Sequence, residues 1–557
     1  MLKIIRKHEG TIGICLLFLL SAVLITVPNF FSHYFKLTLD GYVHLNRFQG
    51  GITDAIRQLQ VPLPINMIGF SNVGAAFNSA YPWMAGWVFI LPELIFNNPL
   101  HALFAGLVLL NFITALNAYF LMRKVANNQV IRILGAFLYE FNTYHLIIVF
   151  GRNAFGEALA YAFIPLAILG LLEIMRLEKV GIFNLAFGMG MIINSHILST
   201  ILTAVALAVL LGINYRQITN WLIVIRYIFY AIIVTFLFSG FTIINFLTIF
   251  LKNKLSSPPF YLLPIVPDLM SKAVINNTVT DYPYSWNLGI VLTIILIMML
   301  IQVAKRKADY NKYVIVASLL FICMFNWFVP VFDQIQKTGV GALQFTGRLL
   351  SYSAIFLIIG FCMYLDQVFP LKRKQIKKLA GVISLIIFAC GFMSVWNYHR
   401  ILNDSSVRLA LTRKNYNDAA RHNPFSFEDY LPKNTVKIIK KQKDKVRVKA
   451  ATTTAITFKL DNPDHKEITL PFAFYNGIKY TSSKKLIKAG HVNLRNTKAN
   501  GELKISVRPA PVYSGLLVFT VIVTLLGSLF VLIVNTGRLK IGSGVSQKSE
   551  STSFFDA

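Results

Sequence analysis

The sequence predicts an α-helical polytopic membrane protein of about twelve spans, with a small extracytoplasmic β-sandwich domain. Three observations lead there. Of the 557 residues, 55% are apolar and only 14% are charged, too few to coat a soluble protein of that size. The apolar residues come in long unbroken runs such as ICLLFLLSAVLITV and LGIVLTIILIMMLI. Runs of that kind suit a hydrocarbon core of ~30 Å, which takes about 20 helical residues to cross. Late in the chain the pattern changes to alternating β-branched and polar residues broken by turn signals.

The first run follows MLKIIRKHE and resembles a signal peptide. It continues into VPNFFSHYFKL with no small-residue cleavage site, so it reads as a retained first helix. The net charge is +30, but its distribution argues against nucleic-acid binding. Many cations sit in short loops: RK at 123–124, KRK at 305–307, KRKQIKK at 372–378 and GRLK at 537–540. Short basic loops mark the cytoplasmic side.

With those loops inside, spans fall near 11–28, 100–121, 130–150, 158–175, 182–197, 199–214, 221–250, 287–304, 311–329, 347–367, 378–397 and 513–534. Twelve crossings place both termini in the cytoplasm and every basic loop on one side. The stretch WMAGWVFILPELIF after Pro82 is short and carries Pro92 and Glu93, so it reads as interfacial or re-entrant. Residues 182–214 read as a hairpin turning at His196. The expected organisation is a membrane domain over 1–397 with an outer loop at 29–82, an outer β-domain over 398–512, a last helix at 513–534 and a cytoplasmic tail at 535–557. Cys15, Cys323, Cys362 and Cys390 all lie in apolar runs, so no disulfide framework is expected outside.

Three polar regions then face outward: the 29–82 loop, a Pro-rich loop over 251–286 ending TDYPYSW, and residues 398–512. In the last, VKIIKKQKDKVRVKAATTTAITFKLD, KEITLPFAFYNGIKYTSS, HVNLRN and GELKISVRP alternate between turns at DNPD, YNG and KANG. It holds 23 Lys and Arg against 9 Asp and Glu, a net charge of +14. That excess serves solubility, or attraction to an anionic surface polymer or lipid headgroup.

Charges near helix ends in a membrane protein each need a reason. In FKLTLDGYVHLNRFQGG, Asp40, His44 and Arg47 have i, i+4, i+7 spacing and share one helical face. An acid, an imidazole and a guanidinium there could deprotonate a hydroxyl and hold a phosphate, or form a solvated amphipathic face. Arg152 and Glu157, in VFGRNAFGEALAYAFIPL, could pair as an interfacial anchor, or Arg152 could clamp a lipid phosphate. Ser195 and His196 interrupt an apolar stretch and serve helix packing or substrate contact. Gln344 and Arg348, in GALQFTGRLLSY, open the 347–367 span; Arg348 snorkels or contacts substrate. All of these segments fall on the outer face under a topology derived from Lys and Arg alone.

The ordered motifs YP at 81–82, GRNAFGEALAYAFIPL, NSH at 194–196 and QFTGRLL resemble those of the bacterial multi-pass proteins called 6-pyruvoyl-tetrahydropterin synthase-related. These are similar to the YfhO-like proteins, within the GT-C glycosyltransferase superfamily. The likeness spans most of residues 30–360, and R-x4-E followed by F-x-P-L is its most specific piece. It does not carry a pterin activity, since no zinc-binding His cluster is present.

The resemblance implies a GT-C-like fold and transfer of a sugar from a polyprenyl-phosphate carrier to an anionic cell-surface polymer or glycolipid, with membrane lipids as the other partners and no nucleic acid. It makes Asp40 the candidate catalytic carboxylate. Arg152, Arg348 and His196 become candidates for the lipid phosphate with Glu157 supporting Arg152, and His44, Arg47 and Gln344 complete the candidate substrate-binding set. QFTGRLL departs from the family in having Thr-Gly where Pro and an aromatic are usual. No D-x-D lies near Asp40, so no cofactor and no divalent metal is expected. Two competing readings are a transporter or flippase of lipid-linked saccharides, and a non-catalytic scaffold of the same fold. Transporters usually carry mid-membrane sites in two related halves, and no internal repeat is visible here.

Overall fold

The computed structural model describes residues 2–536 apart from 257, 369–371, 402–403, 423–427, 434, 436–444 and 489–492. The expected GRLK loop and nearly all of the 535–557 tail lie outside the described residues, as does most of the strand expected at VKIIKKQKDK. Among the described residues, seven helices are long and apolar enough to cross a membrane: Ile12–Phe30, Pro99–Val125, Phe155–Met175, Trp221–Lys252, Thr346–Val368, Arg373–Arg400 and Pro511–Asn535. A bent pair of helices, Gln129–Glu140 with Thr143–Gly151 at 44°, makes an eighth crossing if the two count as one broken span. The break falls at Asn142, whose Oδ1 accepts from the His145 amide at 3.1 Å and starts the second piece. The chain is a mostly helical, multi-pass membrane protein.

The other four expected spans are short helices. Val180–Ile193, Ile197–Ile213, Ile290–Lys305 and Tyr310–Ile322 have 14, 17, 16 and 13 residues. At 1.5 Å per residue they reach about 20–26 Å, less than a ~30 Å core. Local chemistry cuts them. The polar turn Asn194–His196 separates the first two, and Gly289, at φ +83°, delays the third. The fourth ends so that Phe325 can bridge to Ile265. Met84–Ile95 is shorter still and contains Pro92.

Phe155–Met175 is the buried centre of the helical array, with every residue covered. Trp221–Lys252 and Pro511–Asn535 lie at the periphery and expose Leu222, Phe229, Leu251, Leu525 and Leu526. Exposed leucines on a membrane helix meet lipid and carry no penalty.

At one end of this array the polar segments assemble. Strand Phe35–Thr38 pairs antiparallel with Val407–Leu411, Phe35 opposite Leu411. Helix Tyr416–Arg421 then packs on the first outer loop: Asn46 donates to the Ala419 carbonyl at 2.9 Å and Arg421 pairs with Asp54 at 2.9 Å. Residues 407–421 thus belong structurally with the first outer loop, although the sequence groups them with the β-domain.

The β-segment proper has a four-stranded antiparallel sheet, ordered Val446–Ala451, Ala455–Leu460, Gly501–Val507, Tyr480–Ser482. A three-stranded sheet of Ile468–Thr469, Arg495–Thr497 and Ile487–Lys488 accompanies it. Its core residues Ile456, Phe458, Phe472, Leu503 and Ile505 form one cluster with Leu63, Ile65, Met67, Phe70 and Phe77. The β-segment and the loop at 29–82 share one apolar core.

Candidate functional site

Backbone docking brings the charged residues together. Thr38 caps helix Leu39–Arg47, and its own amide donates to Asn153 Oδ1 at 2.9 Å. Its hydroxyl donates to the Arg152 carbonyl. The turn at 152–154 is thereby bound to the start of that helix. Asp40, in the helix's first turn, meets the Arg152 guanidinium at 3.0 Å.

Glu157 lies in the first turn of Phe155–Met175 and bridges two cations. Its Oε2 is 3.2 Å from Arg152 and 3.3 Å from Arg348, while Oε1 accepts from the Tyr144 hydroxyl at 2.8 Å. Arg348 also donates to the Leu343 carbonyl at 2.7 Å and to Gln344 Oε1 at 3.3 Å. The Phe345 ring lies 4.6 Å from the Arg152 guanidinium and 4.1 Å from that of Arg348. Strand Gln344–Phe345, paired in parallel with Leu262–Leu263, holds the ring in place. The five expected residues Asp40, Arg152, Glu157, Gln344 and Arg348 form one continuous cluster.

A third carboxylate completes it. Asp281 approaches Arg152 at 3.4 Å and accepts from the Trp286 indole N–H at 3.2 Å. Two glycines permit this approach. A Cβ on Gly151 would stand 2.0 Å from the Val279 carbonyl oxygen, and one on Gly347 would stand 2.3 Å from the Trp286 ring. Both Asp281 and Trp286 lie in TDYPYSW. The signal that could have found them is the charge balance: two buried arginines at one site call for further acid.

Exposure grades the cluster from floor to rim. Arg152, Glu157 and Arg348 are buried, whereas the Asp281 and Asp40 side chains are 25% and 45% exposed. Burial raises the Asp281 carboxyl to about 7; Arg152 opposes that rise and the Asp40 charge adds to it. Burial works against the Arg152 charge, but Glu157, Asp40 and Asp281 outweigh it and hold the guanidinium charged. Among the described residues no group of three or more His, Cys, Asp or Glu is arranged to hold a metal.

His44, Arg47 and His196 gather around Tyr81, next to the cluster. Their rings and guanidinium lie 5.6, 4.6 and 5.7 Å from its ring centroid. Arg47 is fully buried and donates to the carbonyls of Tyr81 and Pro82 at 2.8 and 2.7 Å. Burial lowers it to about 10. The buried His44 ring accepts from the Gly156 amide at 3.3 Å, and burial, then Arg47, hold its basicity well down. His196 caps its helix and bonds Ser199 Oγ at 2.8 Å. Of the expected trio Asp40, His44 and Arg47, Asp40 pairs with Arg152, His44 meets the Gly156 amide and Arg47 binds the Tyr81 and Pro82 carbonyls.

The fold and site define a multi-pass membrane protein with an arginine–carboxylate cluster at one end of its helices. Among solved structures, the chain is similar to the cryo-EM structure of the arabinofuranosyltransferase AftD from Mycobacteria, with a TM-score of 0.43 and 18% identity over 69% of this chain and 27% of that one. For a mutant of AftD the TM-score is 0.48 and the identity 13%, over 89% of this chain and 41% of that one. The chain thus spans less than half the length of either structure. No family model and no curated protein matches it.

Proposed function

We propose that the chain is a membrane glycosyltransferase that moves a sugar from a polyprenyl-phosphate carrier to an extracytoplasmic acceptor. One observation carries the reading: Asp40, Arg152, Glu157 and Arg348, from three separated segments, meet at one end of the helices. The motif resemblance that singled out these residues points to the same chemistry.

The roles follow from exposure and charge. Arg152 and Arg348 lie where a departing phosphate needs positive charge, and Glu157 fixes both guanidiniums. Asp40 pairs with Arg152 from the exposed rim. A donor phosphate that reaches Arg152 competes with Asp40 and frees its carboxylate. The acceptor hydroxyl oxygen then bonds the anomeric carbon while the carbon–oxygen bond to phosphate breaks. The electron pair leaves with the polyprenyl phosphate, and the hydroxyl proton passes to Asp40. No step in this scheme uses a metal. With the basic short loops taken as cytoplasmic, this reading has the site and residues 398–512 outside, facing an anionic polymer or glycolipid acceptor, and both termini inside.

The test is transfer from a polyprenyl-phosphate sugar, together with the sugar content of the surface polymers of a deletion strain. Complementation with Asp40→Asn should leave folded protein in the membrane and no restored sugar. Wild-type glycosylation by that variant removes Asp40 from the chemistry.

A further inference from the structure

The opposite end of the helices carries arginines of another kind. The bent helix pair carries Arg132 in its first turns and ends just before Arg152, which sets the two ~30 Å apart for 20 helical residues. Beside Arg132 is a cavity of about 260 Å³ between the first helix, Pro99–Val125, Gln129–Glu140 and Pro511–Asn535. Arg123 and Arg132 line it together with Gln129, and Ile14, Leu116 and Phe120 give it an apolar wall.

Among the described residues no carboxylate lines this cavity, and neither arginine makes an ion pair. Arg123 donates to the Asn535 carbonyl, and Arg132 Nε to the Ala126 carbonyl at 2.7 Å. Those bonds fix the two side chains; Tyr119 bonds Arg132 and the Asp366 charge acts on it, yet neither arginine closes an ion pair. Arg123 also borders a neighbouring cavity, where the cation that pairs is Lys124, with Glu178 at 2.5 Å and Glu173 at 3.7 Å. Two fixed guanidiniums beside the apolar side chains of Ile14, Leu116 and Phe120 match a ligand with an anionic head and a hydrocarbon tail. Outward of that wall, Leu16 and Leu20 of the first helix are 59% and 56% exposed, so the apolar surface continues toward lipid.

We propose that this cavity binds the phosphate head of an anionic glycerophospholipid from the leaflet opposite the Asp40–Arg152 cluster. Arg123 and Arg132 hold the phosphate oxygens, and the wall at Leu116 and Phe120 takes the start of an acyl chain. The apolar wall favours a lipid over a free phosphate, which would leave it wet. This site stands apart from the function proposed above and does not depend on it.

The test uses the full chain in neutral detergent, with dioctanoylphosphatidylglycerol, dioctanoylphosphatidylcholine and inorganic phosphate as probes. The anionic lipid should raise the melting temperature saturably, while the zwitterionic lipid and phosphate alone should not. Arg123→Gln with Arg132→Gln should abolish the shift. Gln129→Glu is the variant that protects against misfolding: the position is exposed and opens a helix, where an acid is favourable. It should weaken binding roughly fivefold by offsetting about one cation. An equal shift from phosphatidylcholine overturns the anionic head, and an equal shift from inorganic phosphate overturns the lipid. Binding unchanged in both variants overturns the site.

Discussion

Arg152 and Asp40 lie 112 positions apart in the chain, yet their guanidinium and carboxylate meet at 3.0 Å. The contact ties the first outer loop to the end of the bent helix pair and joins a buried cation to a half-exposed anion. Its two sides should respond differently to substitution. Asp40→Asn should change stability by no more than about 1 kcal/mol, as expected for a pair with one partner in solvent. Transfer should fall by roughly 10²–10⁴-fold, the usual contribution of a positioned proton acceptor. Thermal unfolding in detergent and donor turnover measure the two effects. A large loss of stability with transfer intact would make Asp40 a structural residue.

Glu157 should behave in the opposite way. It is buried and neutralises two buried guanidiniums, so Glu157→Gln should cost about 3–5 kcal/mol. The melting temperature should drop by several degrees, more than for Asp40→Asn. Equal melting temperatures for the two variants would show that the bridge contributes no stability.

The pH dependence should come from Asp281. Its carboxyl is raised to about 7, above its ordinary 3.8. The folded state therefore holds a proton that the unfolded state has released, and stability from this group falls as the pH climbs from about 4 to 7. Above 7 the cluster gains a negative charge beside Arg152, so an anionic donor should bind less well. Donor affinity measured from pH 6 to 8 should decline, and Asp281→Asn should flatten the decline. A slope unchanged in that variant assigns the titration elsewhere.

Gly151 supports Asp281 from behind. A side chain there would strike the Val279 carbonyl. Gly151→Ala should cost about 1–3 kcal/mol. By moving the loop outward it should also bring the titration of Asp281 back toward ordinary carboxylate values, which the same pH series would detect.

Arg47 separates structure from binding. If it holds the Tyr81–Pro82 turn, Arg47→Met should cost about 1–3 kcal/mol for each carbonyl left unpaired. The KM for the donor should stay constant in the protein that folds. A raised KM with unchanged stability would return Arg47 to the phosphate-binding set.

What the sequence made legible follows from the range of its signals. Long apolar runs identify crossings because only length and composition matter there, and Arg152, Glu157 and Arg348 stood out as charges beside such runs. Span ends were less clear, since Gly289 and the Asn194–His196 turn act through backbone geometry that hydropathy does not register. Helical spacing placed Asp40 and Arg47 on one face but gave no distance between them or to Arg152. Asp281 was missed because a single acid in a Pro-rich loop has no period. The pairing of Phe35–Thr38 with Val407–Leu411 joins strands about 370 positions apart, beyond any local pattern.

The apolar core shared by residues 63–77 and the late β-strands also bears on how the chain is made. Leu63, Met67 and Phe70 leave the ribosome long before Phe458 and Ile505 exist to cover them. At 5–20 residues per second the interval is roughly 20–90 s. Throughout that time the loop bearing Asp40 keeps a bare hydrophobic face outside the membrane. A chain stopped before residue 446 would keep it permanently, an invitation to holding chaperones and quality-control proteases. Release of the last strands therefore decides whether the first loop survives.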